Sequence, residues 1–283
     1  MGGAPSTLNY QVLRVPKSGN AIAECEDAAY AWHSSEDEGA RDGGGQANVQ
    51  LYAAVADGAS ESLLAGPWAD RLARDVVESM VLGREWWRDV SRFVGDFMRR
   101  AETSWDAYLE RYKADRIARG RPITWYEQPG LEKGAFATIV GAEVRGTVDE
   151  GGNVAWSWHA FALGDSCLFH LRDGAVLHSF PVTETEGFGI TPDLLGSRNH
   201  DTTLVAERLS LAHGTLKRGD ELLIASDALA AWLLSADRAG TSPGTRLALL
   251  AELGDESFGE WVDDQRTRGL MRNDDVTLVR LKV

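Results

Sequence analysis

Acidic residues recur at the margins of apolar, strand-forming runs. Glu26 and Asp27 precede AAYAW, and Asp57 closes the apolar part of LYAAVADGAS (51–60). Asp165 follows AWSWHAFALG, Asp227 follows ELLIAS, and Asp274 and Asp275 precede VTLVRLKV. One such acid is ordinarily a turn or capping residue, and Asp-Gly is itself a favoured turn pair. Repetition at five places points further, because neighbouring strands would carry these acids to one patch. Two unit charges 4 Å apart repel by about 4 kcal/mol at an effective dielectric near 20, so clustered carboxylates take up protons or bind cations. Oxygen donors without histidine or thiolate select hard ions, Mg²⁺ or Mn²⁺. The six histidines show no zinc-ligand spacing such as HExxH.

Three phosphoryl chemistries with recognisable sequence signatures lack their residues here. A thiol phosphatase needs a cysteine and an arginine with five residues between them. Cys25 has no such arginine, and Arg172 falls one position short for Cys167. A haloacid-dehalogenase-type site needs Asp-x-Asp after its first strand, whereas Asp57-Gly58-Ala59 has one acid. No phosphate-binding GxxxxGK[ST] loop is present.

The elements that must position the acids follow from periodicity. Strands are expected over 8–15, 28–32, 51–56, 136–144, 154–163, 167–171, 175–178, 203–211, 221–225 and 276–283. Trp68, Leu72, Val76 and Met80 recur at helical spacing, and Trp86, Val90, Phe93, Phe97, Ala101, Trp105, Tyr108 and Tyr112 mark a second helix. Shorter helices are expected over 229–234 and 245–253, with loops over 33–47 and 119–133. Residues 180–203, with Pro181, Pro192 and few strand formers, read as a surface flap. Strands, two long helices, more strands and late helices make an α+β sandwich with helices outside the sheets. No linker divides the chain, so residues 1–283 read as one domain.

Six segments in order, CEDA (25–28), VADGAS (55–60), GAFATIVGAEV (134–144), ALGDSCLFHLRDG (162–174), LLIASDALAAWLL (222–234) and NDDVTLV (273–279), resemble the successive motifs of the metal-dependent protein phosphatases of type 2C. The resemblance implies a four-layer α-β-β-α sandwich, two packed antiparallel sheets flanked by helix pairs. It also implies a protein serine/threonine phosphatase in which a water bridging two Mg²⁺ or Mn²⁺ ions attacks phosphorus directly. Matched position by position, Asp57 bridges both ions and Gly58 offers its backbone carbonyl. Asp227 and Asp274 complete the first ion's ligands, Glu26 serves the second, and Asp165 a weaker third. The sequence departs from the motifs at three places. Ile22 stands where an arginine commonly grips the substrate phosphate, leaving Arg14, Lys17 or Arg41 as replacements. Ala59 stands where some members carry a histidine, and Ala228 where glycine is usual. The alternative is a catalytically silent, regulatory or binding member of the fold, whose signature would be a lost metal carboxylate.

The 283 residues carry a formal net charge of −14, which argues against nucleic acid and anionic membranes as partners. Two cysteines are too few for a disulfide framework, no apolar run approaches the roughly 20 residues of a membrane span, and the start of the sequence lacks a signal-peptide core. The expected setting is cytoplasmic, the expected substrate a phosphoserine or phosphothreonine protein, and a cognate serine/threonine kinase the expected counterpart.

Overall fold

Alternation along β3 (Asn48–Gly58) organises the molecule. Leu51, Ala53 and Val55 face one way into a core between two sheets, while Tyr52, Ala54 and Ala56 face the other way against helices. Both faces are therefore buried, which is why the run is apolar almost throughout. The computed structural model describes residues 8–34, 48–149, 153–189 and 191–283. Arg41 and most of the expected 33–47 loop lie outside them.

One antiparallel sheet is ordered β1 (Asn9–Val15), β11 (Val276–Lys282), β10 (Glu221–Ala225), β6 (Cys167–Arg172), β7 (Ala175–Phe180). The other is ordered β2 (Asp27–His33), β3, β4 (Phe136–Val148), β5 (Val154–Leu163), β9 (Ser210–Leu216), with the short β8 (Leu195–Gly196) paired to β4. Val140, Trp158 and Ala160 of the second sheet pack between the sheets on Leu168, Ile224 and Val279 of the first. Outside the second sheet lie α1 (Ala65–Leu82) and α2 (Val90–Ala118), whose Trp68, Leu72, Phe93, Phe97 and Trp105 cover Tyr52 and Phe161. Outside the first lie α5 (Asp227–Arg238), α6 (Pro243–Leu253) and α7 (Asp255–Thr267), burying Leu229, Leu233, Leu247 and Phe258 on Phe169 and Leu223. The four-layer α-β-β-α arrangement expected from the sequence is what the chain forms.

Three local expectations change. The strand expected over 203–211 is instead α4 (Thr202–Arg208) followed by β9: Asp201 caps the helix, its side chain accepting from Leu204 N at 2.9 Å, and strand alternation begins only at Ser210. The loop over 119–133 ends in a short helix, α3 (Gln128–Lys133). The expected second helix breaks after Trp86–Arg88 and restarts at Val90, where Asp89 accepts from Arg92 N at 3.0 Å. The flap is also shorter than expected. Trp68 Nε1 donates to Leu195 O (3.0 Å), and Ser197 N donates to Ala135 O (2.8 Å), which fastens the second half of 180–203 to the helix layer and β4.

Candidate active site

The strand alternation that fills the core also aims the acids. Asp57 continues the inward series Leu51, Ala53, Val55 to the end of β3, so its carboxylate emerges between the sheets at one edge of the sandwich. Asp27 is its register partner on β2 and shares the parity of Ala29 and Ala31, which pack into the same core. From the other sheet, β10 ends at Ala225 opposite Leu278 of β11 and Cys167 of β6. Asp227 just after β10, Asp274 just before β11 and Asp165 just before β6 are thereby brought to the same edge. Ser226 knits these ends together: its N–H donates to Thr277 O (3.1 Å), and its Oγ accepts from Thr277 N (2.9 Å).

Two glycines make the close approach possible. A Cβ on Gly58 would lie 2.8 Å from Glu26 O and 2.9 Å from Ala65 C. Gly164 has φ +103°, and a Cβ there would lie 2.5 Å from Thr138 Cγ2. That leaves Asp165 on a left-handed turn beside the Thr138–Ser166 hydroxyl pair (2.7 Å).

Asp57, Gly58, Asp165, Asp227 and Asp274 line one cleft of about 730 Å³, together with Lys133, Arg272 and, from the flap, Phe188, Thr191, Pro192 and Leu194. Glu26 stands at its rim, joined to the cleft by Ser60 Oγ, which donates to Glu26 Oε2, and by Lys17. The Lys17 ammonium lies 3.2 Å from Glu26 Oε2, 3.2 Å from Asp274 Oδ1 and 2.6 Å from Ser60 Oγ. Arg272 pairs with Asp227. Asp275 turns away from the cleft and clamps the β1–β2 connection, accepting from Lys17 N and Glu26 N at 2.7 Å each. Ile22 is 58% exposed on a single 3₁₀ turn and does not line the cleft. Arg14 donates to Asp27 O.

The charges are poorly tolerated by one another. Burial, then the charges of Asp27, Asp227, Asp274 and Asp165, raises Asp57 well above the ordinary carboxylate range. Burial followed by Asp227 pushes Asp165 up to about 6. Asp227 is raised by burial although Arg272 works the other way, and Asp227 Oδ1 is buried with no hydrogen-bond partner. Asp27, 1% exposed, is raised by burial although the Ser226 and Thr277 hydroxyls oppose it, and neither of its oxygens has a well-aligned donor.

Raised folded-state pKa values mean that the folded chain holds protons which the unfolded chain releases. From the ordinary carboxylate value of 3.8 up to the value of about 6 for Asp165, stability should therefore fall as pH rises. Asp57, raised by burial and by its acidic neighbours, adds to the fall. Melting in EDTA should show a lower Tm at pH 7 than at pH 5, and millimolar Mn²⁺ should reverse the trend. A chelated Tm that rises over that interval would contradict this electrostatic picture.

Among the described residues, no three acidic, histidine or cysteine side chains form a ready-made ligand group as they stand. Arg272 and Lys17 stand among the carboxylates instead. The donor set itself fits a hard divalent cation: oxygen donors only, an unpartnered buried oxygen on Asp227, and a buried Asp57 surrounded by other acids. Asp27 and Arg272 are additions to the residues expected at the site. Parity with Ala29 and Ala31 could have found the first; nothing local marks the second.

No protein-family model matches the chain, and no curated protein matches it in sequence. Solved structures do. The serine/threonine phosphatase Stp1 from Staphylococcus aureus superposes with a TM-score of 0.53 at 15% identity, covering 100% of this chain and 99% of its own. The PP2C phosphatase domain of SpoIIE from Bacillus subtilis gives 0.51 at 14% identity, over 98% of this chain and 63% of that one. The chain has the type 2C phosphatase fold. The photosystem II phosphatase PBCP shares it, with a TM-score of 0.51 at 16% identity over 98% of this chain and 99% of that one. In this type 2C architecture the sandwich edge that gathers Asp57, Asp165, Asp227 and Asp274 is formed by the ends of β3, β6, β10 and β11.

Proposed function

We propose that the protein is a metal-dependent phosphomonoester hydrolase, most specifically a protein serine/threonine phosphatase. The observation that carries this reading is the convergence of Asp57, Asp165, Asp227 and Asp274 from both sheets of a type 2C fold into one cleft. Two Mg²⁺ or Mn²⁺ ions held there would supply charge for the substrate phosphate and a water acidic enough to attack it.

Asp57, Gly58 O, Asp227 and Asp274 would hold these ions, with Glu26 reaching in from the rim and Asp165 serving a weaker third. Asp57 would be suited to serving both ions because a rigid strand end fixes it and because no cation among the described residues pairs with it. Asp275 and Ser226 position the strand ends. Ala59 carries no proton donor, which leaves protonation of the leaving alkoxide to water or to another group of the cleft. Neither thiol takes part: Cys25 and Cys167 are buried, and burial pushes Cys25 up to about 11. All the expected carboxylates are retained, which disfavours the silent-module reading. Turnover of p-nitrophenyl phosphate with Mn²⁺ but not with EDTA is the primary test, and insensitivity to thiol alkylation should accompany it.

The protein substrate, a phosphoserine or phosphothreonine segment, would lie between the cleft and the flap. Trimming residues 183–192 should lower kcat/KM on phosphopeptides at least about fivefold more than on p-nitrophenyl phosphate, since a small ester buries little against Phe188 and Leu194. Equal losses on both substrates would make the segment structural only. A phosphoprotein substrate implies a kinase acting upstream of it, and no helix among the described residues is long and apolar enough to cross a membrane.

A further inference from the structure

Among the described residues Lys17 pairs with two of the site's acids, whereas Arg272 pairs with one. Its ammonium spans Glu26 at the rim and Asp274 in the cleft at 3.2 Å each, while its backbone N–H is fixed on Asp275 and that of Ser18 on Asn273 Oδ1 at 2.8 Å. The segment that carries Lys17 is thus stapled to the loop that carries Asp274, and only the flexible four-carbon stem is free to move. Of the other described basic groups near the cleft, Lys133 lies over the Phe136 ring at 5.7 Å and meets none of these acids, and two arginines are otherwise committed. Arg14 donates to the Asp27 carbonyl, Arg272 is held by Asp227, and residue 22 is an exposed isoleucine off the cleft.

We propose that Lys17 exchanges partners: without metal it is the counter-ion of Glu26 and Asp274, and when divalent ions take those carboxylates it turns to the substrate's phosphate. The proposal rests on the phosphatase reading above and adds a named phosphate-binding residue and a metal-linked switch to it. The physical reasons are direct. An ammonium and a divalent ion cannot both sit between the same two carboxylates without strong repulsion. A lysine released from its acids at the rim of a cleft that receives a dianionic phosphate has one obvious new partner. A compact ammonium on a flexible stem, with three rotatable donors, suits such a transfer better than a planar guanidinium fork.

The switch makes two effects of opposite sign from one substitution. In Lys17→Met, Mn²⁺ should bind more tightly by roughly three- to tenfold, because the competing counter-ion worth two partly exposed ion pairs is gone. Inorganic phosphate should bind the Mn²⁺-loaded protein more weakly by about tenfold, and KM for p-nitrophenyl phosphate should rise by a similar factor with kcat changed less than about threefold. Lys17→Arg should restore part of the phosphate affinity. Calorimetry of Mn²⁺ and of phosphate, with wild type, Lys17→Met, Lys17→Arg and Arg272→Gln side by side, reads all of this. A merely structural role for Lys17 would weaken both ligands together and overturn the proposal. So would unchanged Mn²⁺ affinity, or loss of phosphate affinity in Arg272→Gln but not in Lys17→Met. Failure of the phosphatase reading looks different: a wild-type protein that neither binds Mn²⁺ nor turns over phosphoesters.

Discussion

Asp57→Asn should lower kcat/KM for phosphomonoesters by about 10³-fold or more while leaving the chain folded. Asp57 is fixed at the end of an inward-facing core strand and pressed on by four other acids, and no cation among the described residues pairs with it. An amide there keeps the shape and one acceptor oxygen but removes the negative charge that two divalent ions would share. The same substitution relieves repulsion in the metal-free chain, so its Tm in EDTA at pH 7 should rise even as activity falls. That pairing separates loss of function from loss of fold. Asp227→Asn and Asp274→Asn should be nearly as damaging. Asp165→Asn should cost less, since this acid would serve only the weaker third ion. Steady-state kinetics on p-nitrophenyl phosphate and melting curves in EDTA check both halves; near-normal turnover in Asp57→Asn would show that the assignment of the bridging ligand is wrong.

Much of the fold could be read in advance because the strands are long and buried on both faces. β5 and β10 fall where apolar runs bounded by turn residues place them, and Trp68 to Met80 repeat at helical spacing along α1. Short elements were less legible. In Thr202–Arg208 only Val205 is buried, so periodicity carried no helix signal there, and the start came from the Asp201 cap. α7 leaves little trace in the sequence because its interior mixes Asp and Glu with only Phe258, Trp261 and Val262 as buried apolar residues.

At the site, the acids were legible through their shared place at strand margins, and the structure gathers Asp57, Asp165, Asp227 and Asp274 in one cleft with Glu26 at the rim. What could not be read was how positive charge is distributed among them. Lys17 meets Asp274, and Arg272 meets Asp227, through the pairing of β1 with β11 and of β10 with β11, contacts between distant parts of the chain that leave no local spacing behind. The departure at Ile22 was visible in the sequence, and its consequence was not. Residue 22 sits exposed on a 3₁₀ turn and does not line the cleft.

Release of phosphate from a phosphothreonine peptide, measured with Mn²⁺, after excess EDTA, and after Mn²⁺ is restored, tests the central claim most directly. The acids that line the cleft repel a phosphate dianion and cannot by themselves supply an electrophile for it, and the buried thiols offer no substitute. Turnover should therefore fall at least about 10³-fold on chelation and return when the metal is added back, unaffected by prior alkylation of the protein. Undiminished hydrolysis in thoroughly chelated buffer would contradict the account.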